Sequence, residues 1–330
     1  MKPNITLKKI AETLNLSIST VSRALKDHPD ISAETKAKVH DLAGMLEYDP
    51  NPYAINLRTS NSKEFAVIVP AISNFFYHSF LTALEEEATR YGYAILIYRS
   101  NDDPGLEAEI LKRCRQKRVS GIFVSITART EEVGPFLKLE EQGIPLIFFD
   151  KVPRYEACNQ VCVADTAAAV LAAEALVRRR KTRILSLFGN AHMSITQQRL
   201  KAYTGIFQQA GAGALIVEHA DSSLEAEQRT LRAFSGAERP DAVFCMSDEI
   251  LVGVMKAVQK LRLSYPQQAG VVAISDGFIP QLYYPEISYA ETSGFKLGKL
   301  AFSRMLSCLA GSTFVQHLTI DSVFIDGGSL

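Results

Sequence analysis

Between Thr6 and Leu25 the apolar positions Leu7, Ile10, Ala11 and Leu14 recur at helical spacing, and Val21, Ala24 and Leu25 resume the pattern after a break at Asn15. Steps of three and four residues put each set on one face of a short helix. Asn15 tolerates the left-handed backbone that a tight turn needs, and Ser17 is placed to cap the second helix with its hydroxyl. Ile18, Ser19, Ser22 and Arg23 then point outward. Beyond a loop holding Pro29, Ser32 can cap a third helix over 33–46, with Ala37, Leu42 and Leu46 expected to complete a small three-helix core. Pro50 and Pro52 end that helix. Tyr53 to Arg58 has room for about one and a half turns, too few for a helix that stands alone.

From Glu64 the pattern changes to short β-branched or aromatic runs alternating with helical stretches. EFAVIVP, YAILIYRS, SGIFVSI and PLIFFD form a first series, with helices predicted near Phe76–Tyr91, Leu106–Gln116 and Glu131–Gln142. VCVAD, RILSLFG, ALIVEHA, AVFCMS and VVAIS form a second, with helices near Ala167–Arg180, Thr196–Ala210, Leu224–Phe234 and Glu249–Leu261. Continuous apolar strands alternating with helices imply parallel sheets covered on both faces. The fold class read from the pattern is α/β, with a helix-turn-helix headpiece and a two-lobed doubly wound core. A last helix near Phe295–Leu309 and a strand pair near His317–Asp326 are expected to return to the first lobe.

The runs TLKKIA, LNLSISTVSRAL, DHPDIS and YDPNPYAINLRT follow one another over about sixty residues. In that order they resemble the headpiece of the LacI/GalR family of bacterial transcriptional repressors, whereas the helical spacing alone would suit any small helical hairpin. The resemblance implies a DNA-binding headpiece over 1–48, a hinge helix or linker over 49–62 and an effector-binding core over 63–330. That core is periplasmic-binding-protein-like, with a first lobe of about 63–162 plus 293–330 and a second of about 163–292. The implied DNA contacts are Thr6, Ser17, Ile18, Ser19, Thr20, Ser22 and Arg23 in the headpiece, and Asn51, Tyr53, Ala54, Leu57 and Arg58 in the linker. Leu57 matches the leucine that family hinge helices push into the minor groove, where an apolar wedge kinks the duplex; a plain flexible tether is the other reading of that linker.

In open α/β sheets ligands sit beyond the carboxyl ends of the strands. The candidates there are Asn74, Phe75 and Phe76, with Tyr77 beside them, then Ser125, Asp150, Arg199, Ser247, Asp248, Ser275 and Asp276. Aromatic rings that stack on sugar faces, together with carboxylates and an arginine that bind hydroxyls, are what a carbohydrate cleft needs. Asp248 and Asp276 can equally cap the helices that follow, and Phe76 can equally be core. Asp150 and Arg199 match family positions that contact the effector. Ser247–Asp248 stands where the family often has Asn-Asp, and Ser275 where it has Asp, which leaves room for a larger or less hydroxylated ligand than a simple hexose.

Composition narrows the rest. The chain has 330 residues, 47% hydrophobic and 22% charged, with a formal net charge of zero. Residues 1–63 hold nine Lys/Arg against seven Asp/Glu, so the net of +2 there is balanced by −2 elsewhere, too weak an asymmetry to indicate DNA by itself. The cysteines at 114, 158, 162, 245 and 308 form no CxxC pair and read as reduced thiols. There is no apolar leader and no long apolar span, so a cytoplasmic location is expected. No phosphate-binding glycine loop, hydrolase elbow or HExxH is present, so neither an enzyme nor a metal or cofactor is expected. His78 and His192 lie near the predicted cleft without a partner that would make either a base. The expected partners are operator DNA, a small sugar or sugar derivative, and a second copy of the chain, with no membrane. A solute-binding protein without a DNA function is the alternative.

Overall fold

The computed structural model describes residues 6–48, 62–72, 75–211 and 213–330. The chain divides into two compact units, Met1–Ser62 and Lys63–Leu330. In the first unit α1 (Leu7–Leu14), α2 (Ile18–Ala24) and α3 (Ala33–Met45) close around Ile10, Ala11, Val21, Ala24, Val39 and Ala43. Leu42 and Leu46 pack at the rim of this core. Ala37, expected inside, is exposed; the inward stripe of α3 runs through Val39 and Ala43, one residue out of phase with the reading from Ala37.

The second unit carries two six-stranded sheets. The first lobe is built from β1 (Glu64–Val69), α4 (Phe75–Arg90), β2 (Ala94–Arg99), α5 (Pro104–Lys117), β3 (Gly121–Val124), α6 (Gly134–Glu140), β4 (Leu146–Phe149) and β5 (Gln160–Val163). The second contains α7 (Asp165–Arg178), β6 (Arg183–Phe188), α8 (Ser194–Ala210), β7 (Ala214–His219), α9 (Ser223–Ser235), β8 (Ala242–Cys245), α10 (Asp248–Lys260), β9 (Gly270–Ser275) and β10 (Ser288–Glu291). The remaining elements are α11 (Gly294–Leu309), β11 (His317–Ile320) and β12 (Phe324–Ile325). The sheet orders are β11-β5-β4-β3-β1-β2 and β12-β10-β9-β8-β6-β7. Each therefore winds outward from its first strand in the same way, and all pairings are parallel except β10 with β12. Alternation along β1 puts Phe65, Val67 and Val69 into a core shared with α4 and α11, and Ala66 and Ile68 into a second core on the opposite face.

Two expectations are corrected. VCVAD, placed at the head of the second series, supplies β5, whose Gln160 stands opposite Phe148 of β4 in the first sheet. The strands near His317–Asp326 do not pair with each other. β11 adds to β5, with His317 opposite Gln160. β12 crosses to the second lobe, with Phe324 opposite Ala290. Segment 293–330 is thus shared between lobes. The chain crosses between lobes three times, after β5, after β10 and after β11.

Helices α4 and α11 meet at small residues. A Cβ on Gly294 would lie 2.4 Å from the Phe76 carbonyl oxygen, and one on Gly298 would lie 2.7 Å from that of Phe80. Backbone contact this close admits no side chain, and it fixes the N-terminal turn of α4, which carries Phe75, Phe76 and Tyr77.

Candidate functional site

The two parts of the recognition hairpin are held by local hydrogen bonds. Thr6 Oγ1 accepts the Lys9 N–H at 3.3 Å and caps α1. Asn15 takes φ 52° and turns the chain. Ser17 Oγ accepts the Thr20 N–H at 3.1 Å and caps α2, while lying 2.7 Å from Ser19 Oγ and 2.8 Å from Thr20 Oγ1. With Val21 and Ala24 turned inward, α2 displays Ile18, 49% exposed, together with Ser19 and Arg23. Ser22 and Thr20 are half-buried at its flanks. A helix of this kind presents small hydroxyls and one forked cation to a major groove. Thr6 and Ser17 already spend a hydroxyl lone pair on capping. Asn51, Tyr53, Ala54, Leu57 and Arg58 lie outside the described residues.

In the core unit the carboxyl ends of β1, β6 and β8 open on one cleft of about 510 Å³. These strands flank the points where each sheet's order reverses, where open α/β sheets bind ligands. Its walls include Pro70, Phe75, Phe76, Tyr77 and Asp150 from the first lobe, and Gly189, Thr196, Arg199, Met246, Ser247, Asp248, Ser275 and Asp276 from the second. A second cavity of about 1000 Å³ adjoins it and shares Asp150, Lys151, Met193 and Ile195. His192 lines that second cavity, whereas His78 is exposed and lines neither.

Asp150 ends β4 with φ 58°, a left-handed turn that aims its carboxyl inward. Tyr77 donates its phenol to Asp150 Oδ2 at 2.6 Å. Burial raises the Asp150 carboxyl above the usual range, opposed by the Tyr77 hydrogen bond. Ser125, expected on the cleft wall, is fully buried beneath this pair, 3.0 Å from Tyr77 Oη and 3.4 Å from Asp150 Oδ2. Its N–H continues the ladder of β3 on β1 by donating to the Ile68 carbonyl at 3.0 Å, and its hydroxyl supports the carboxylate from below the cleft wall. Asn74 lies outside the described residues. Phe75 is 38% exposed, and Phe76 is half-buried against the Tyr77 ring.

Arg199 is buried and committed within its own lobe. Its Nε donates to Asp165 Oδ1 at 3.1 Å, its Nη2 donates to the same oxygen, and its Nη1 donates to the Met246 carbonyl at 3.0 Å. No hydrogen bond joins it to Asp150 across the cleft. Asp248 accepts the Ser275 hydroxyl and, at 3.0 Å, the Asp276 N–H. Ser247 caps α10 through the Ile250 N–H. Asp276 accepts the Gly294 N–H at 2.5 Å, and burial pushes its carboxyl up to about 6. Among the described residues no group of three His, Cys, Asp or Glu side chains is placed to hold a metal ion, and no helix is long and apolar enough to cross a membrane.

The raised Asp276 carboxyl has a definite sign. The folded state holds this proton more tightly than the unfolded chain, so the group's contribution to stability falls as pH rises through about 4 to 6. Replacing Asp276 by Asn removes that titration. The stability of Asp276→Asn relative to wild type is expected to fall as pH goes from about 7.5 to 5. Chemical denaturation at both pH values measures it, and a difference that does not change with pH would show an ordinary surface carboxylate.

Three contributors were not among the predicted site residues: Asp165, Thr196 and Gly189. Asp165 ends an apolar strand run, a usable signal, but its arginine partner stands 34 residues away. Tyr77 could be placed near the cleft, but not its bond to Asp150 across 73 residues.

Comparison with known proteins agrees with this geometry. The model of bacterial regulatory proteins, lacI family, matches residues 6–51, and that of the periplasmic binding protein domain matches residues 65–284. Catabolite control protein A of Staphylococcus aureus (strain N315) is 26% identical over 287 residues, covering 86% of each chain. The ribose operon repressor of Bacillus subtilis (strain 168) is 26% identical over 310 residues, covering 92% of this chain and 91% of the repressor. The crystal structure of the Lac repressor dimer bound to operator and the anti-inducer ONPF superposes with a TM-score of 0.84 at 20% identity, covering 98% of both chains. By the model that spans most of its length this chain belongs to the periplasmic binding protein domain family, and its α1–α2 headpiece is a lacI-family DNA-binding domain.

Proposed function

We propose that the protein is a cytoplasmic, non-enzymatic repressor of carbohydrate-utilisation genes that binds operator DNA as a homodimer and is controlled by a sugar-like effector between its lobes. The observation that carries this reading is the presence on one chain of a displayed recognition helix, α2, and an open cleft at the switch points of two parallel sheets, with aromatic walls and the charged groups Asp150, Arg199, Asp248 and Asp276. A solute-binding protein needs the second and has no use for the first.

Arg23 is the group on α2 suited to reading a base edge, and Ile18 and Ser19 are the neighbours that would flank it. Leu57 in the linker is assigned to the minor groove, with Asn51, Tyr53, Ala54 and Arg58 on the adjoining backbone. One headpiece covers too little surface for tight specific binding, so two half-sites and two chains are required. Phe278, Leu282 and Tyr284, 61%, 62% and 97% exposed, supply apolar surface on the second lobe that a second copy could cover.

Binding-site selection from random duplex DNA tests this directly. The full chain is expected to enrich a near-palindromic sequence and to sediment on it as a dimer. A chain that enriches nothing would be a solute-binding protein. On the selected duplex Arg23→Ala should cost about 1–3 kcal/mol, and less on random DNA. Equal losses on both would make Arg23 a phosphate contact.

A further inference from the structure

Thr196 Oγ1 is the single buried side-chain polar atom without a hydrogen-bond partner among the described residues. The residue is 1% exposed and lines the interlobe cleft. A helical threonine usually donates to the carbonyl four residues back. Thr13, Thr82, Thr204 and Thr230 all do so here, at 2.7–2.9 Å. Thr196 cannot, because α8 starts at Ser194 and the residue four back, His192, precedes the helix. An unpartnered buried hydroxyl is rare and needs an explanation in the folded molecule.

The space in front of it is kept open by a glycine. A Cβ on Gly189 would lie 3.6 Å from Thr196 Oγ1 and 3.2 Å from Met246 Cε. Gly189 does not adopt the positive φ that favours glycine, so its backbone does not require the missing side chain. The recess is walled by Met246, and Met193 and Ile195 line the cleft nearby. The room beside Gly189 suits a small group that can both give and accept one hydrogen bond.

We propose that the Gly189–Thr196 recess is the specificity subsite of the cleft and takes one uncharged hydroxyl of the effector, with Thr196 Oγ1 as its direct partner. This rests on the sugar-effector reading above. The space is too small for a phosphate or carboxylate group at this point, and Asp150 is left to accept hydroxyls elsewhere in the cleft.

The test uses the full chain and thermal denaturation with D-ribose, D-xylose, D-glucose, D-galactose, D-glucosamine and cellobiose, each at 10 mM by design. Thr196→Val keeps the shape and removes the hydroxyl. Without sugar it should melt at or slightly above wild type, because no bond is lost. It should bind any sugar that stabilises wild type roughly 10- to 100-fold more weakly. Thr196→Ser should restore binding, and Gly189→Ala, which fills the recess, should lose it. A sugar-free melting point several degrees lower in Thr196→Val would overturn the proposal by revealing a structural hydrogen bond, and so would an unchanged sugar response in both Thr196→Val and Gly189→Ala. Wild type unmoved by every sugar would instead overturn the sugar reading, and this assignment with it.

Discussion

Arg199→Ala is expected to destabilise the core unit by about 3–5 kcal/mol and to abolish its response to effector. The guanidinium is 7% exposed and bonded to both Asp165 and the Met246 carbonyl. Removing it leaves the half-buried Asp165 carboxylate and a buried carbonyl without their donor, which costs more than the pair itself contributes. The loss reaches the cleft, because Met246 lies at the mouth of β8 beside the Gly189–Thr196 recess. The match of Arg199 to a family position suggested an arginine that contacts the effector. The ion pair with Asp165 makes it first a brace for α7 and α8. Chemical denaturation of Arg199→Ala, Asp165→Asn and the double variant separates the two roles. If each single change costs under about 1 kcal/mol, the pair is solvated and contributes as weakly as a surface salt bridge.

Gly294→Val is expected to cost about 3 kcal/mol and to silence the effector site as well. A valine Cβ would begin 2.4 Å from the Phe76 carbonyl oxygen, and backbone cannot step aside as a flexible side chain can. Helix α11 would have to move off α4, carrying the Gly294 N–H away from Asp276. The first turn of α4 would follow, and it holds Phe75, Phe76 and the tyrosine bonded to Asp150. The melting temperature should therefore drop by several degrees. A variant melting within about 1 °C of wild type would show that the α4–α11 contact is loose.

The sequence conveyed what is local. Both sheets' central strands and the helices between them follow from runs such as EFAVIV and AVFC, because a strand buried on both faces must be apolar throughout. The caps at Ser17 and Ser32 and the turn at Asn15 were readable because each is satisfied within a few residues. What escaped was pairing at a distance. The composition of β5 suits either sheet, and only its register against β4 assigns it to the first. β10, with the sequence SYAE, gives no apolar run at all and exists because β9 and β12 flank it. Asp150 and Arg199 could be placed at the cleft from motif position, but their partners Tyr77 and Asp165 belong to tertiary structure. The Thr196 hydroxyl was invisible for the opposite reason: its distinction is a bond it does not make.

The three crossings between the lobes also set an order of events during synthesis. Among the described residues, the headpiece has all three helices once residue 45 has emerged. The first sheet, by contrast, lacks its β11 edge until residue 320, and the second lacks β12 until residue 325. Even Ser329 is engaged, donating to the Val271 carbonyl at 2.6 Å. At typical elongation rates the core trails the headpiece by roughly 15–50 s. During that interval the nascent chain exposes a finished helix-turn-helix ahead of two open sheets, and neither sheet gains its last edge strand before residues 320 and 325 have left the ribosome.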